Sequence, residues 1–203
     1  MKRIALTGGI GCGKTTVSNI FLNKFKIPTI DTDLLARQAV TKGSEGLKEV
    51  ISRFGSKVLN DEDELDRLKL KKMIFSNEDK KKTLENIIHP IVNRLLTEKL
   101  NTIKSDYCLI AVPILRKESI IMSLVDRILF IDCKESIQIE RTLLRDKIEL
   151  PLIKKIMRSQ PSRIELKERA TDVIENNDSL ADLTRDIRNL HKKYVELSQD
   201  KTN

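Results

Sequence analysis

Tryptophan is absent from the 203 residues, and aromatic side chains of all kinds make up only 3% of the chain. Proteins that grip single-stranded nucleic acid stack bases on such rings. A chain this poor in them is expected to have no nucleic-acid partner, despite a net charge of +8. The excess of lysine sits in runs such as Lys69-Leu70-Lys71-Lys72 and Lys80-Lys81-Lys82, which read as solvated helix faces. The positive balance then suits small anionic ligands. Cysteine is scarce too. Cys12, Cys108 and Cys133 are odd in number and far apart, with neither metal-ligand spacing nor the pairing of a disulfide framework. Free thiols and a cytoplasmic setting are the expectation. Cys12 falls in a glycine-rich loop where backbone outweighs side chain. No apolar run reaches the length of a membrane span, and the first residues read as a strand and not as a signal peptide, so no membrane partner is expected.

What is present is a globular composition, 39% hydrophobic and 33% charged, and one decisive stretch near the start. Gly8-Gly9-Ile10-Gly11-Cys12-Gly13-Lys14-Thr15 fits the pattern G-x-x-x-x-G-K-[ST]. It follows the buried-strand run Ile4-Ala5-Leu6 and precedes helical periodicity from Val17 to Phe25, and strand–loop–helix is the context in which the pattern has a mechanism. Glycines let the backbone fold so that several N–H groups converge on an anion, and the following helix adds its unpaired amides and the positive end of its dipole. Gly8, Gly11, Cys12, Gly13, Lys14, Thr15 and Thr16 are therefore the candidate nucleoside-triphosphate residues. Lys14 would reach the β- and γ-phosphates, and the Thr15 hydroxyl would ligate Mg²⁺.

Further along, Ile27 to Ile30 reads as a second strand, ending in Asp31-Thr32-Asp33 at the start of a helix. Asp31 or Thr32 is a candidate N-cap, with substrate contact by Asp31 the other reading. Asp33 projects from the first helical turn near the carboxyl end of the strand, the edge at which open α/β sheets bind ligands. From Gly43 to about Lys104 the pattern is helical throughout, an insertion and not a separate domain. His89-Pro90 is expected to break it, with Pro90 opening a new helix and His89 either capping or packed there, or reaching an acceptor substrate. Tyr107 to Val112 and Arg127 to Asp132 are apolar runs of fully buried strands. The first ends in Ala111-Val112-Pro113, with no carboxylate for a second Mg²⁺ contact, which leaves water and Asp33 as candidates. Glu135 to Arg145 reads as a helix with Ile137, Ile139, Leu143 and Leu144 on or near its buried side. Arg141 and Arg145, four apart, are either solvated arginines or a clamp on the triphosphate. Lys147 to Arg169 reads as a charged helical lid, Asp172 to Asn177 as a last strand and turn, and Ser179 as the cap of a helix with an apolar stripe from Leu180 to Leu197. His191 beside that stripe reads as structural or exposed, and the tail after Ser198 as frayed.

Taken together, Leu6 to Val17, Ile30 to Arg37, Arg53-Phe54-Gly55, Leu65-Asp66-Arg67, His89-Pro90, Val112 to Leu115, Gln138 to Asp146, Gln160 to Arg163 and Asp172 to Asn176 closely resemble the dephospho-coenzyme A kinase family. The resemblance implies an α/β, P-loop NTPase-type fold with a parallel five-stranded sheet flanked by helices. It divides a single domain of 1–203 into a nucleotide-binding core (1–31, 105–133 and 170–203), a helical acceptor subdomain (32–104) and a lid (134–169). It implies transfer of the γ-phosphoryl of ATP, with Mg²⁺, to the 3′-hydroxyl of dephospho-CoA. Asp33 matches the family's base, Asp31, Arg37 and His89 its acceptor side, Arg141 its phosphate-contacting arginine, and Asn176 the turn near adenine. Departures are Cys12 where members usually carry serine, Ala111 where many carry a carboxylate, and a Glu118 displaced by one position. The assembly expected is a monomer or weak oligomer. Two other classes compete. A GTP switch would need Asn-Lys-x-Asp, and Asn23-Lys24-Phe25-Lys26 lacks the aspartate. A nucleoside or nucleotide kinase would share the loop but not the other segments.

Overall fold

The apolar runs become one sheet. β1 (Lys2–Gly8), β2 (Thr29–Asp31), β3 (Tyr107–Ala111), β4 (Arg127–Asp132) and β5 (Asp172–Glu175) pair in the order β2-β3-β1-β4-β5, every pair parallel. Leu6 of the central strand lies opposite Ala111 on one side and Leu129 on the other. A central parallel strand is covered on both faces, which is why Ile4, Ala5 and Leu6 are apolar without alternation and all 0% exposed. The edge strand β5 alternates buried and exposed residues instead. The computed structural model describes residues 1–75 and 77–200.

The helices in chain order are α1 (Lys14–Phe25), α2 (Thr32–Ala39), α3 (Glu45–Phe54), α4 (Arg67–Phe75), α5 (Glu78–Thr102), α6 (Ile121–Leu124), α7 (Glu135–Asp146), α8 (Leu150–Ser159), α9 (Arg163–Arg169) and α10 (Leu180–Gln199). The chain forms two compact units. One comprises Met1–Asp31 and the chain from Ile103 onward, and the other is Thr32–Thr102. In the sheet unit, α1 and α10 bury Val17, Ile20, Phe21, Leu183, Ile187 and Tyr194 against Ile4, Leu6, Leu109, Leu129 and Ile131. Each such side chain contributes about 1.5–3 kcal/mol by leaving water. Both tyrosines and two of the phenylalanines gather here. Tyr107 meets Phe21 and Tyr194 edge-on at 6.3 and 5.4 Å, and Phe25 stacks on His191 at 4.3 Å. The Tyr107 hydroxyl and His191 Nδ1 are hydrogen-bonded at 2.7 Å, so His191 is structural.

α10 starts as expected, with the Ser179 hydroxyl accepting from the Asp182 amide. Two details differ. Leu180 opens the helix clear of the sheet and is 62% exposed, so the apolar stripe begins at Leu183. The helix also runs through Gln199, past the Ser198 at which fraying was expected, and 201–203 lie outside the described residues.

The second unit has its own core of Val40, Val50, Phe54, Val58, Leu70, Leu84 and Ile87. Its main correction concerns His89-Pro90. α5 is unbroken across Pro90, so Pro90 does not start a helix and His89 caps nothing. An interior proline removes one backbone bond and costs about 3 kcal/mol. Buried residues on both sides of it, Leu84 and Ile87 before and Val92, Leu96 and Leu100 after, offset that cost by packing along one continuous helix. His89 itself is exposed, not packed.

At the opposite end of the sheet from the strand termini that carry the loop, Asp172 ties three elements together. It accepts from Arg127 Nε at 2.8 Å, Lys193 Nζ at 2.6 Å and the Tyr194 hydroxyl at 3.1 Å. Burial opposes its ionisation, but the hydrogen bonds from Arg127 and Lys193 outweigh burial and hold its carboxyl below the ordinary range. A depressed carboxyl stabilises the fold above its unfolded pKa, and that contribution fades as pH falls through the folded value. Asp172→Asn is therefore expected to cost about 2–3 kcal/mol at pH 7 by leaving partly buried cations unpaired. In urea titrations the gap from the wild type should narrow below about pH 4. A gap independent of pH would contradict an ionic role.

Candidate active site

The glycine-rich loop leaves β1 at Gly8 and enters α1 at Lys14. Gly13 occupies the N-cap in a left-handed conformation, φ 92°, with no side chain to cap the helix, so the first-turn amides stay available to an anion. Gly11 is also left-handed, φ 75°, and a Cβ there would come within 2.5 Å of the Gln138 carbonyl oxygen. The loop is thus pressed against α7, which is why no side chain is tolerated at Gly11. Lys14 folds back over the loop, its ammonium donating to the Gly8 and Gly9 carbonyls at 2.6 and 3.1 Å. Thr15 and Thr16 are exposed on the first turn of α1.

Three other segments fasten this loop. From the end of β5, the buried Asn176 amide donates to the Cys12 carbonyl at 2.8 Å. From α7, Arg141 Nη1 donates to the Asn176 carbonyl at 3.1 Å, so these residues meet as one network. From the segment between α8 and α9, Gln160 Oε1 accepts from the Ile10 amide at 3.0 Å. Beside them Asp132, fully buried at the end of β4, takes a bidentate pair from Arg163 at 2.6 and 2.8 Å. That carboxylate raises the Arg163 pKa and keeps the guanidinium charged. A cleft of about 470 Å³ opens alongside, bordered by Gly9, Gln138, Lys154, Arg158, Gln160 and Arg163.

One expectation about α7 changes. Leu143 and Leu144 are 40% and 76% exposed, and Thr142 is the helix's buried residue. The reason is that α7 turns Gln138, Arg141 and Thr142 toward the loop network, so its inner face is polar. Arg145 pairs in two 2.7 Å bonds with Asp146 and is exposed, unlike half-buried Arg141. Gln160, Asp132 and Arg163 had no role in the sequence reading. The available signals were the family-like segment Gln160 to Arg163 and, at Asp132, a carboxylate closing an apolar strand. Asp31 closes β2 level with Ala111 of β3, half-buried. Asp33 and Arg37 are exposed on α2 and His89 is exposed on α5, all in the second unit, where those two helices lie against each other. No cluster of three or more metal-ligating side chains occurs among the described residues, and no helix among them is long and apolar enough to cross a membrane.

A parallel β2-β3-β1-β4-β5 sheet with a phosphate loop between β1 and α1 defines a P-loop kinase. The chain belongs to the dephospho-CoA kinase family, whose model matches residues 2–182. It is 40% identical over 196 residues to the dephospho-CoA kinase of Vibrio vulnificus, covering 97% of this chain and 96% of that one. A solved structure from Thermus thermophilus superposes with a TM-score of 0.82 at 29% identity, over 95% of this chain and 97% of its own. The dephospho-CoA kinase from Campylobacter jejuni does so with 0.71 at 26%, over 100% of both chains.

The bond from Asn176 to Cys12 yields a direct test. Asn176→Ala leaves a buried carbonyl without its donor, a penalty of about 1–3 kcal/mol that falls on the loop. ATP affinity measured by calorimetry should drop about tenfold or more, and an affinity within about twofold of wild type would contradict the fastening role.

Proposed function

We propose that this kinase transfers the γ-phosphoryl group of ATP to the 3′-hydroxyl of the ribose of dephospho-CoA, giving coenzyme A and ADP, the last step of coenzyme A synthesis. The observation that carries the reading is a built phosphate loop in a chain that matches the family over residues 2–182. Loop residues Gly8, Gly11, Cys12, Gly13, Lys14, Thr15 and Thr16 cradle the triphosphate, and Lys14 leaves the Gly8 and Gly9 carbonyls for the β- and γ-phosphates. Arg141 offsets charge as it moves onto the bridging oxygen. Asn176 fixes the loop near the adenine end. Thr15 offers a hard, exposed hydroxyl oxygen. Such a donor fits Mg²⁺, which binds through one or two protein oxygens plus phosphates and water. When bound, the ion neutralises developing charge on the phosphates.

On the acceptor side, Asp33 takes the proton of the ribose hydroxyl as the new O–P bond forms. Asp31, Arg37 and His89 bind the acceptor. The segment 32–104 serves as the acceptor subdomain, 134–169 as a lid that keeps water from the triphosphate, and the remainder as the nucleotide core. The enzyme works in the cytoplasm as a monomer or weak oligomer, without nucleic acid or membrane.

The test is ADP release with dephospho-CoA, adenosine, AMP and dCMP side by side. Turnover confined to dephospho-CoA is expected, and turnover with a nucleotide alone would overturn the reading. In the same assay Asp33→Asn should retain ATP binding yet lower kcat by about two to four orders of magnitude. A fall of less than about tenfold would leave Asp33 a positioning group and not the base.

A further inference from the structure

Two of the three cysteines, 121 positions apart in sequence, touch in the fold. The Cys133 thiol donates to the Cys12 sulfur at 3.3 Å, and the two residues are 0% and 1% exposed. One belongs to the phosphate loop, and the other follows the last residue of β4. We propose that Cys12 and Cys133 are a modification site, joined as a reversible disulfide by a hydroperoxide, and that this cross-link disables the phosphate loop.

The surroundings favour the chemistry. The Cys133 S–H bond and the nearby Lys14 ammonium draw the Cys12 thiol below its ordinary pKa against the opposing cost of burial. Cys12 is therefore the nucleophile of the pair, since the thiolate is the reactive form. Cys133 also borders the cleft of about 470 Å³ that runs past Gly9, with the Cys12 sulfur directly behind it, so a small peroxide reaches Cys12 from this side when the loop opens. The Cys12 sulfur attacks one peroxide oxygen, the O–O bond breaks, and a sulfenic acid forms as the other oxygen leaves as alcohol or water. The Cys133 sulfur then attacks the Cys12 sulfur, the S–O bond breaks and water departs. Two thiols lose two electrons and two protons, and the hydroperoxide is reduced by the same two electrons. The sulfurs must close from 3.3 Å to about 2.05 Å. That pull falls on the residue whose carbonyl holds Asn176 and whose neighbour is left-handed Gly13. A displacement of about 1 Å in a positioning loop costs on the order of a hundredfold in rate.

The inference rests on the kinase reading only for its activity readout, because the cross-link is read by mass. The reduced full chain is treated with hydrogen peroxide, quenched, and split between peptide mapping, ATP calorimetry and turnover with dephospho-CoA. Expected is a mass lower by about 2 Da, a Cys12–Cys133 linked peptide, and loss of ATP binding and turnover by at least about tenfold, all restored by dithiothreitol. Cys108, buried on β3 with its thiol pushed up to about 11 by burial, serves as the unreacted control. Cys133→Ala and Cys133→Ser should keep the reduced wild-type turnover and lose the reductant-reversible inhibition. Oxygen addition at Cys12 without cross-linking, a linked protein that still binds ATP and turns over normally, or Cys133 variants inhibited as reversibly as wild type would each overturn the proposal. Failure of the kinase reading would show separately, as a reduced enzyme that binds ATP but ignores dephospho-CoA.

Discussion

The buried hydrogen bond from the Asn176 side chain to the Cys12 carbonyl couples the loop after β1 to the turn after β5, two strands away across the sheet. An anion cradle built of backbone amides needs those amides turned inward and left without strong partners of their own. The opposite side of each peptide must then be held by something else. Asn176 holds one carbonyl, and the closeness of α7 to Gly11 blocks the loop from relaxing outward. The sheet order follows from the same need. With β4 and β3 on either side of β1, the loop emerges between strand ends that can supply Asp132, Asn176 and α7 on one flank.

The charge arrangement around the loop has a division of labour. Arg163 is committed to Asp132, and Arg145 to Asp146. Arg141 spends one nitrogen on the Asn176 carbonyl and remains half-buried beside the loop. A chain with a net charge of +8 has cations to spare, and the structure orders them by what they face. A buried carboxylate such as Asp132 must be paired, because an isolated charge in that environment costs several kcal/mol. The pairing fastens α9 to the end of β4.

Strands were legible because fully buried parallel strands are continuous apolar runs, and Tyr107 to Ile110 could hardly be anything else. The phosphate loop was legible because it is local: eight consecutive residues carry the whole geometry. The breaks came where long-range packing overrode a local rule. Pro90 obeys local grammar as a helix start, yet apolar residues on both sides of it run as one helix. Leu143 and Leu144 look like an inner face until one knows that α7 rests on a loop of glycines and polar groups. Gln160, Arg163 and Asp132 act on partners 150 and 31 residues away, and no spacing rule relates such positions. The contact between Cys12 and Cys133 is of the same kind, invisible until β1 and β4 are placed side by side.

The family-model match ends at residue 182, within the first turn of α10, whereas two of the three groups that donate to Asp172 lie further on, at Lys193 and Tyr194. The last helix is thus a belt whose buckle is at its far end. A chain cut at the family boundary would keep every loop residue and every strand. It would still strip the Tyr107 hydroxyl of its imidazole and leave the Asp172 carboxylate leaning on Arg127, so the end of the sheet opposite the phosphate loop depends on the last helix.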